Sequence, residues 1–240
     1  MWWPMSLKNL PKPQKSGLLL IDKPMDFSSH DIIAIARRIL RTKTIGHSGT
    51  LDPMATGLLI LLVGREATKH QPEFLQMTKT YEAVLKLGEE TDTWDRYGNY
   101  VSSARVPAIT PEKLQNAVEK LSGNILQQVP PFSAKKIKGE KMYDLARKGV
   151  ELEPRFSPVC VKWTNIKQLS PDEILFTVIG SCGTYVRALG HMLARELGTV
   201  GHLTKLRRIA IGPYHVQNAF DGNLLKNCET DTLYNQVQLL

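Results

Sequence analysis

Three observations predict an α+β fold for this chain of 240 residues. Strand and helix signals are interspersed but lack the regular β-α alternation of a doubly wound sheet. Thr80 to Leu87 alternates, which puts Tyr81, Ala83, Leu85 and Leu87 on one face of a half-buried strand. Two helix starts carry cap signals: Ser28 with Asp31 three residues on, and Thr110 followed by Pro111.

Residues 1–16 read as a flexible lead-in. Met1-Trp2-Trp3-Pro4-Met5 lacks the charged start and apolar stretch of a signal peptide, and a Lys/Pro-rich segment runs on to Lys15. Residues 17–215 read as one domain, beginning with a buried strand from Leu18 to Asp22. After the Ser28 cap, Ile32, Ile33, Ala36, Ile39 and Leu40 recur at helical spacing. Arg37, Arg38 and Arg41 close that helix, where cations suit its dipole. Leu58 to Val63 is the longest apolar run. It fits a buried strand and is far too short to cross a membrane. A second helix starts at Thr110 and ends before Gly123, and a third is expected from about residue 140 to Lys148, ahead of Gly149. Strands are expected over 159–169 and 174–179, then a last helix from Thr184 to Leu197, stopped by Gly198. Residues 216–240 read as a short tail, and there is no internal repeat.

With 42% hydrophobic residues the chain can bury a core, and a net charge of +8 with pI about 9.4 suggests an anionic partner. The charge is uneven. Residues 1–48 carry eight basic and three acidic side chains, and 135–148 carry six and two, so two basic clusters could track phosphates. Cys160, Cys182 and Cys228 form no Cys-x-x-Cys pair, which argues against a disulfide framework and for a reducing, cytoplasmic setting. No His-x-x-x-His or His-Glu-x-x-His spacing supports a metal, and no cofactor is expected.

The stretch from Lys43 to Leu59 holds Asp52 in a loop built for tight turns. Gly46, Gly49 and Gly57 permit positive φ or close backbone approach, and Pro53 pushes Asp52 toward an extended conformation. Leu-Asp-Pro alone is the pattern of a turn aspartate. The whole string, Lys43-Thr-Ile-Gly-His47-Ser-Gly-Thr-Leu-Asp52-Pro-Met-Ala-Thr-Gly57, resembles the catalytic motif of the bacterial tRNA pseudouridine-55 synthases, the TruB family. The likeness continues in Gly17-Leu-Leu-Leu-Ile-Asp-Lys23-Pro24, Gly64 to Lys69, Thr78 to Tyr81, Gly88 to Thr93, Gly183-Thr-Tyr185-Val-Arg187 and Leu203 to Arg208, in the family's order, over about residues 17 to 215.

The resemblance implies a mixed, mainly antiparallel sheet flanked by helices, with a central catalytic cleft. It implies isomerisation of uridine-55 in the T loop of tRNA, with Asp52 as nucleophile or base, Arg187 as its cationic partner and Tyr81 stacked on the target uracil. His47 would contact the RNA where the base leaves, Tyr185 and Leu206 would line the pocket, and Lys23 would lie near the cleft. The partner expected is the T stem-loop of tRNA. No protein partner is implied, no membrane is involved, and a monomer is expected. Moving uracil from an N1 to a C5 glycosidic link needs neither redox change nor hydrolysis. A carboxylate can attack the ribose, attack the uracil, or take a ribose proton to give a glycal, and the sequence leaves all three routes open.

Asp26 stands where the family turn usually has glycine, and Ser48 where many members have threonine. Only 26 residues follow Tyr214, too few for the RNA-binding PUA domain of many members, so none is expected. Two other RNA-linked readings compete: a chaperone that folds tRNA through its T arm, and a guide-dependent relative of the dyskerin type. A hydrolase reading of Gly46-His47-Ser48-Gly49-Thr50 fails, because the nucleophile elbow needs glycine where Thr50 stands.

Overall fold

The computed structural model describes residues 15–130 and 153–240, together with the backbone at 136–137 and 140–141. In chain order the elements are β1 (Gly17–Lys23), α1 (Ser29–Ile39), β2 (Ile45–His47), β3 (Thr56–Val63), α2 (Gly64–Lys69), α3 (Gln71–Gln76), β4 (Lys79–Leu87), β5 (Glu89–Thr91) and β6 (Tyr100–Ser103). Next come α4 (Pro111–Lys120), β7 (Gly123–Gln128), β8 (Lys136–Ile137), β9 (Glu140–Lys141), β10 (Phe156–Ser170) and β11 (Glu173–Gly180). The chain closes with α5 (Val186–Glu196), β12 (Gly201–Ile211), β13 (Tyr214–His215), β14 (Phe220–Asp221), α6 (Thr230–Asn235) and β15 (Gln238–Leu239). The fold is α+β, as the interspersed signals predict.

Two compact units divide these elements: Met1–Pro53, Gly57–Leu75 and Val216–Leu240 form the first, and Met54–Thr56 with Gln76–His215 the second. In the first unit β1 pairs antiparallel with β3, from Gly17↔Val63 to Lys23↔Gly57, and β2 pairs with β3. Leu19, Ile21, Leu59, Leu61 and Val63 face α1, whose Ile32, Ile33, Ala36 and Ile39 complete a core with Leu225, Leu233 and Val237. Leu18, Leu20, Leu58, Ile60 and Leu62 are buried as well, which explains unbroken apolar runs in place of alternation. The α1 capping box is formed, since Ser28 Oγ accepts from Asp31 N and the Asp31 carboxylate accepts from Ser28 N at 2.8 Å. Residues 216–240, read in the sequence as a tail, place β14 parallel and β15 antiparallel beside β1. A side chain at Gly17 would collide with the Gln238 carbonyl.

In the second unit β12, β4, β11, β10 and β7 lie in that order, each antiparallel to the next. The face carrying Ala83, Leu85, Leu87, Phe176 and Val178 is buried, and α5 packs on it. A Cβ at Gly190 would lie 2.7 Å from Leu203 and 3.5 Å from Leu85, so glycine there permits the close approach. The other face is more open: Glu82, Cys160, Lys162 and Lys205 are exposed. The helix expected over 140–148 lies mostly outside the described residues. At its first two positions the expectation is corrected, because Glu140–Lys141 pair antiparallel with Lys136–Ile137.

Candidate active site

In the first unit the loop around Asp52 is held by its neighbours' backbones. The buried Ser29 hydroxyl brackets Leu51, accepting from Leu51 N at 2.8 Å and donating to Leu51 O at 3.1 Å. On the other side of Asp52, Pro53 O accepts from Asp26 N at 3.0 Å and from Lys23 Nζ at 3.4 Å. Lys23 is fully buried and also donates to Pro24 O at 2.8 Å and Phe27 O at 2.7 Å. It therefore staples the Pro24–Phe27 turn to the aspartate loop. Asp26 sits in that turn with φ +68°, so the backbone keeps the left-handed form that glycine takes freely and aspartate tolerates. Asp52 itself is half-buried.

His47 Nδ1 accepts from Gly49 N at 3.1 Å, which places the proton of the neutral ring on Nε2. Its carbonyl accepts from Gln71 Nε2 at 3.0 Å. Gly49 and Gly57 have φ of +128° and +102°, while at Gly46 a Cβ would lie 3.1 Å from the Gln71 side chain, which would have to give slightly. Ser29→Ala should cost about 1–3 kcal/mol of stability by leaving both Leu51 backbone groups unpaired. Urea unfolding of the variant tests this, and an unchanged midpoint would reduce the bracket to a packing detail.

The second unit groups Tyr81, Leu206, Tyr185 and Arg187. Tyr81 pairs with Arg208 and Leu206 with Ala83 across β4 and β12, so Tyr81 and Leu206 share the face on which α5 packs. Ala83 and Leu85 on that stripe are buried, but Tyr81 remains partly exposed, so it is not simply a core aromatic. Tyr185 is the N-cap of α5, and its N donates to Gln127 Oε1 at 3.0 Å. The same buried amide donates to Gly183 O at 2.6 Å and so fixes the entry to the helix.

Arg187, in the first turn of α5, is 4% exposed. Its Nη1 donates to Thr93 O at 2.6 Å, and its Nε lies 3.6 Å from Asp95 Oδ2. Thr93 Oγ1 (2.7 Å) and Tyr97 N (2.9 Å) orient the other Asp95 oxygen. Farther along α5, His191 stacks on Trp94 with centroids 4.3 Å apart and lies 3.4 Å from Glu90. Burial pushes the His191 imidazole below its usual value, against the pull of Glu90.

Ser29, Asp95 and Gln127 escape the sequence reading. Asp95 lies two residues beyond the Gly88–Thr93 block, and a longer block would have reached it. Lys79, next to that site on β4, is 7% exposed, and burial pushes its ammonium down to about 8, with Cys182 opposing and Arg208 adding to the effect. The folded value lies below the ordinary 10.5, so the unfolded chain binds more protons between the two. Stability should therefore rise as pH climbs from 8 to 10.5, by about 1–3 kcal/mol relative to Lys79→Met. Unfolding curves of both proteins across that window check it.

The sequence pattern of the TruB family pseudouridylate synthase (N terminal domain) matches residues 37–186. A tRNA pseudouridine synthase B of Chlamydia pneumoniae is 39% identical over 218 residues, which cover 90% of this chain and 92% of that protein. One from Aromatoleum aromaticum is 44% identical over 203 residues, covering 85% of this chain and 65% of that protein. Among solved structures, a chain of a Cbf5-Nop10-Gar1 complex superposes with a TM-score of 0.69 at 24% identity, covering 93% of this chain and 60% of that one. An H/ACA RNP bound to a substrate RNA gives 0.66 at 22%, covering 93% and 59%. These two likenesses show the fold.

Proposed function

Because this chain belongs to the TruB family of pseudouridylate synthases, we infer that it is an isomerase that converts a uridine of tRNA to pseudouridine, at position 55 of the T loop. The observation that carries the catalytic reading is the double anchoring of the Asp52 loop, with Leu51 held by Ser29 and Pro53 by Lys23 and Asp26. A reactive group gains most when its backbone cannot drift, since small misplacements are costly in rate.

In this reading the T-loop uridine leaves its stack, at a cost of a few kcal/mol. The base is held against Tyr81 and Leu206, with Tyr185 beside them, and His47 serves as an RNA contact. Asp52 acts on the ribose or the uracil. The N1–C1′ bond breaks, the base turns, the C5–C1′ bond forms, and the C5 proton is lost as N1 gains one. Asp52 and its surroundings supply base and electrostatics, and Tyr81 the stacking surface. Lys23, with its three carbonyl partners, serves by positioning the loop. The basic clusters supply phosphate contacts that place the RNA without reading its sequence.

The direct test is to incubate the purified chain with unmodified tRNA transcript and map pseudouridine. Modification at position 55 is expected, and none at any position would refute the reading. Tyr81→Ala should lower turnover about 100-fold with a much smaller effect on tRNA affinity, because stacking acts on the flipped base. Tyr81→Phe separates the ring from the hydroxyl: near-normal rates assign stacking, and a deep loss assigns proton transfer. Rapid-quench rates alongside filter binding make the comparison.

A further inference from the structure

Trp94 has φ +58°, in the left-handed region, where a bulky aromatic is a genuine outlier. Such strain persists only where the surroundings over-determine it, and it gathers at functional sites. Two other non-glycine residues among those described share a positive φ, Asp26 and Arg41. Asp26 is of a type that tolerates the conformation, and Arg41 is exposed, whereas Trp94 is 6% exposed. Its ring lies nearly parallel to His191, at 16°, with centroids 4.3 Å apart. Its N donates to Thr91 O at 3.1 Å, and its O accepts from Leu203 N at 3.0 Å.

This turn has a consequence for Arg187. The residue before Trp94 supplies the carbonyl that accepts from Arg187 Nη1, and the residue after it supplies the carboxylate beside Nε. A residue in ordinary helical or extended conformation at position 94 would send the chain another way and separate those two acceptors. His191 follows Arg187 by four residues on α5, so one helix carries both the guanidinium and the ring that pins its acceptors.

We propose that Trp94 is a positioning residue for uridine isomerisation: stacked on His191, it holds the left-handed turn that aims Thr93 O and the Asp95 carboxylate together at Arg187. The proposal rests on Arg187 belonging to the catalytic machinery. It makes an ordering that simple core filling does not. Alanine keeps the backbone strain and loses the ring that offsets it. Glycine loses the ring but takes the turn without strain. Phenylalanine keeps a stacking ring.

The experiment is kcat and KM for unmodified tRNA in the full chain and in Trp94→Phe, Trp94→Gly and Trp94→Ala. Trp94→Ala should lose about 10- to 100-fold in kcat, Trp94→Gly distinctly less and Trp94→Phe little, with KM within about 3-fold throughout. A kcat for Trp94→Ala within 2-fold of the parent would overturn the proposal. So would a Trp94→Gly slower than Trp94→Ala, the order expected if the ring only fills space. If Trp94→Ala does not fold, His191→Ala removes the stack from the other side and should show the same kcat-selective loss, and an unchanged kcat there is equally decisive against it. An inactive parent chain would refute the functional reading and leave this one measurable. Hydrogen exchange of the Arg187 Nε–H, followed by NMR, should then be faster in Trp94→Ala than in Trp94→Gly, and equal rates would sink the proposal.

Discussion

Asp52→Asn should lower pseudouridine formation by at least about 10³-fold while leaving tRNA affinity within a few-fold of the parent. Asparagine has the same shape and cannot supply a carboxylate. The backbone groups of Leu51 and Pro53 keep their own hydrogen bonds to Ser29, Asp26 and Lys23 in this variant. The loss is therefore chemical. Single-turnover rates on an unmodified transcript, set against equilibrium binding of the same transcript, separate the two quantities. Turnover that survives this substitution would remove Asp52 from the mechanism.

The second large effect is expected at Arg187. Arg187→Lys keeps the charge but cannot span the Thr93 carbonyl and the Asp95 carboxylate with a fixed fork of donors. A loss of about 10²- to 10³-fold in kcat is expected, with tRNA affinity little changed. Arg187→Ala should cost turnover at least as much, and stability in addition, on the order of 3–5 kcal/mol, because the Asp95 carboxylate stays buried without its cation. Denaturant unfolding and steady-state kinetics distinguish these outcomes. A lysine variant that works at the parent rate would show that orientation of the guanidinium is irrelevant.

How legible each part was in the sequence depends on how local its physics is. β1, β3, β4 and α1 were readable because a cap, an apolar run or a strict alternation lies within a few residues. β12 has no such local signal. Its pairing with β4 slips between Leu203 and Lys205 and again between Arg208 and Ala210, and each slip breaks the period of two. Leu225, Leu233 and Val237 are widely spaced in a polar segment, and only their packing against α1 and β1 makes them core.

The site divides along the same line. The string around Asp52 is distinctive because its glycines and proline are dictated locally. Ser29, Gln127 and Asp95 are common residue types whose tasks come from partners far along the chain, Leu51 standing 22 positions after Ser29 and Tyr185 58 positions after Gln127. No local pattern encodes such a pairing.

The pairing of β1 with β14 and β15 bears on how the molecule is made. β1 finds two of its neighbours only far along the chain, at 220–221 and 238–239, which leave the ribosome long after it. The described residues between 76 and 215, by contrast, all belong to the second unit. During synthesis the middle of the protein can close its own sheet while the beginning waits with an unpaired edge, the kind of edge that invites aggregation. Translation order and folding order thus run against each other here. The loop that carries Asp52 belongs to the half that is finished last.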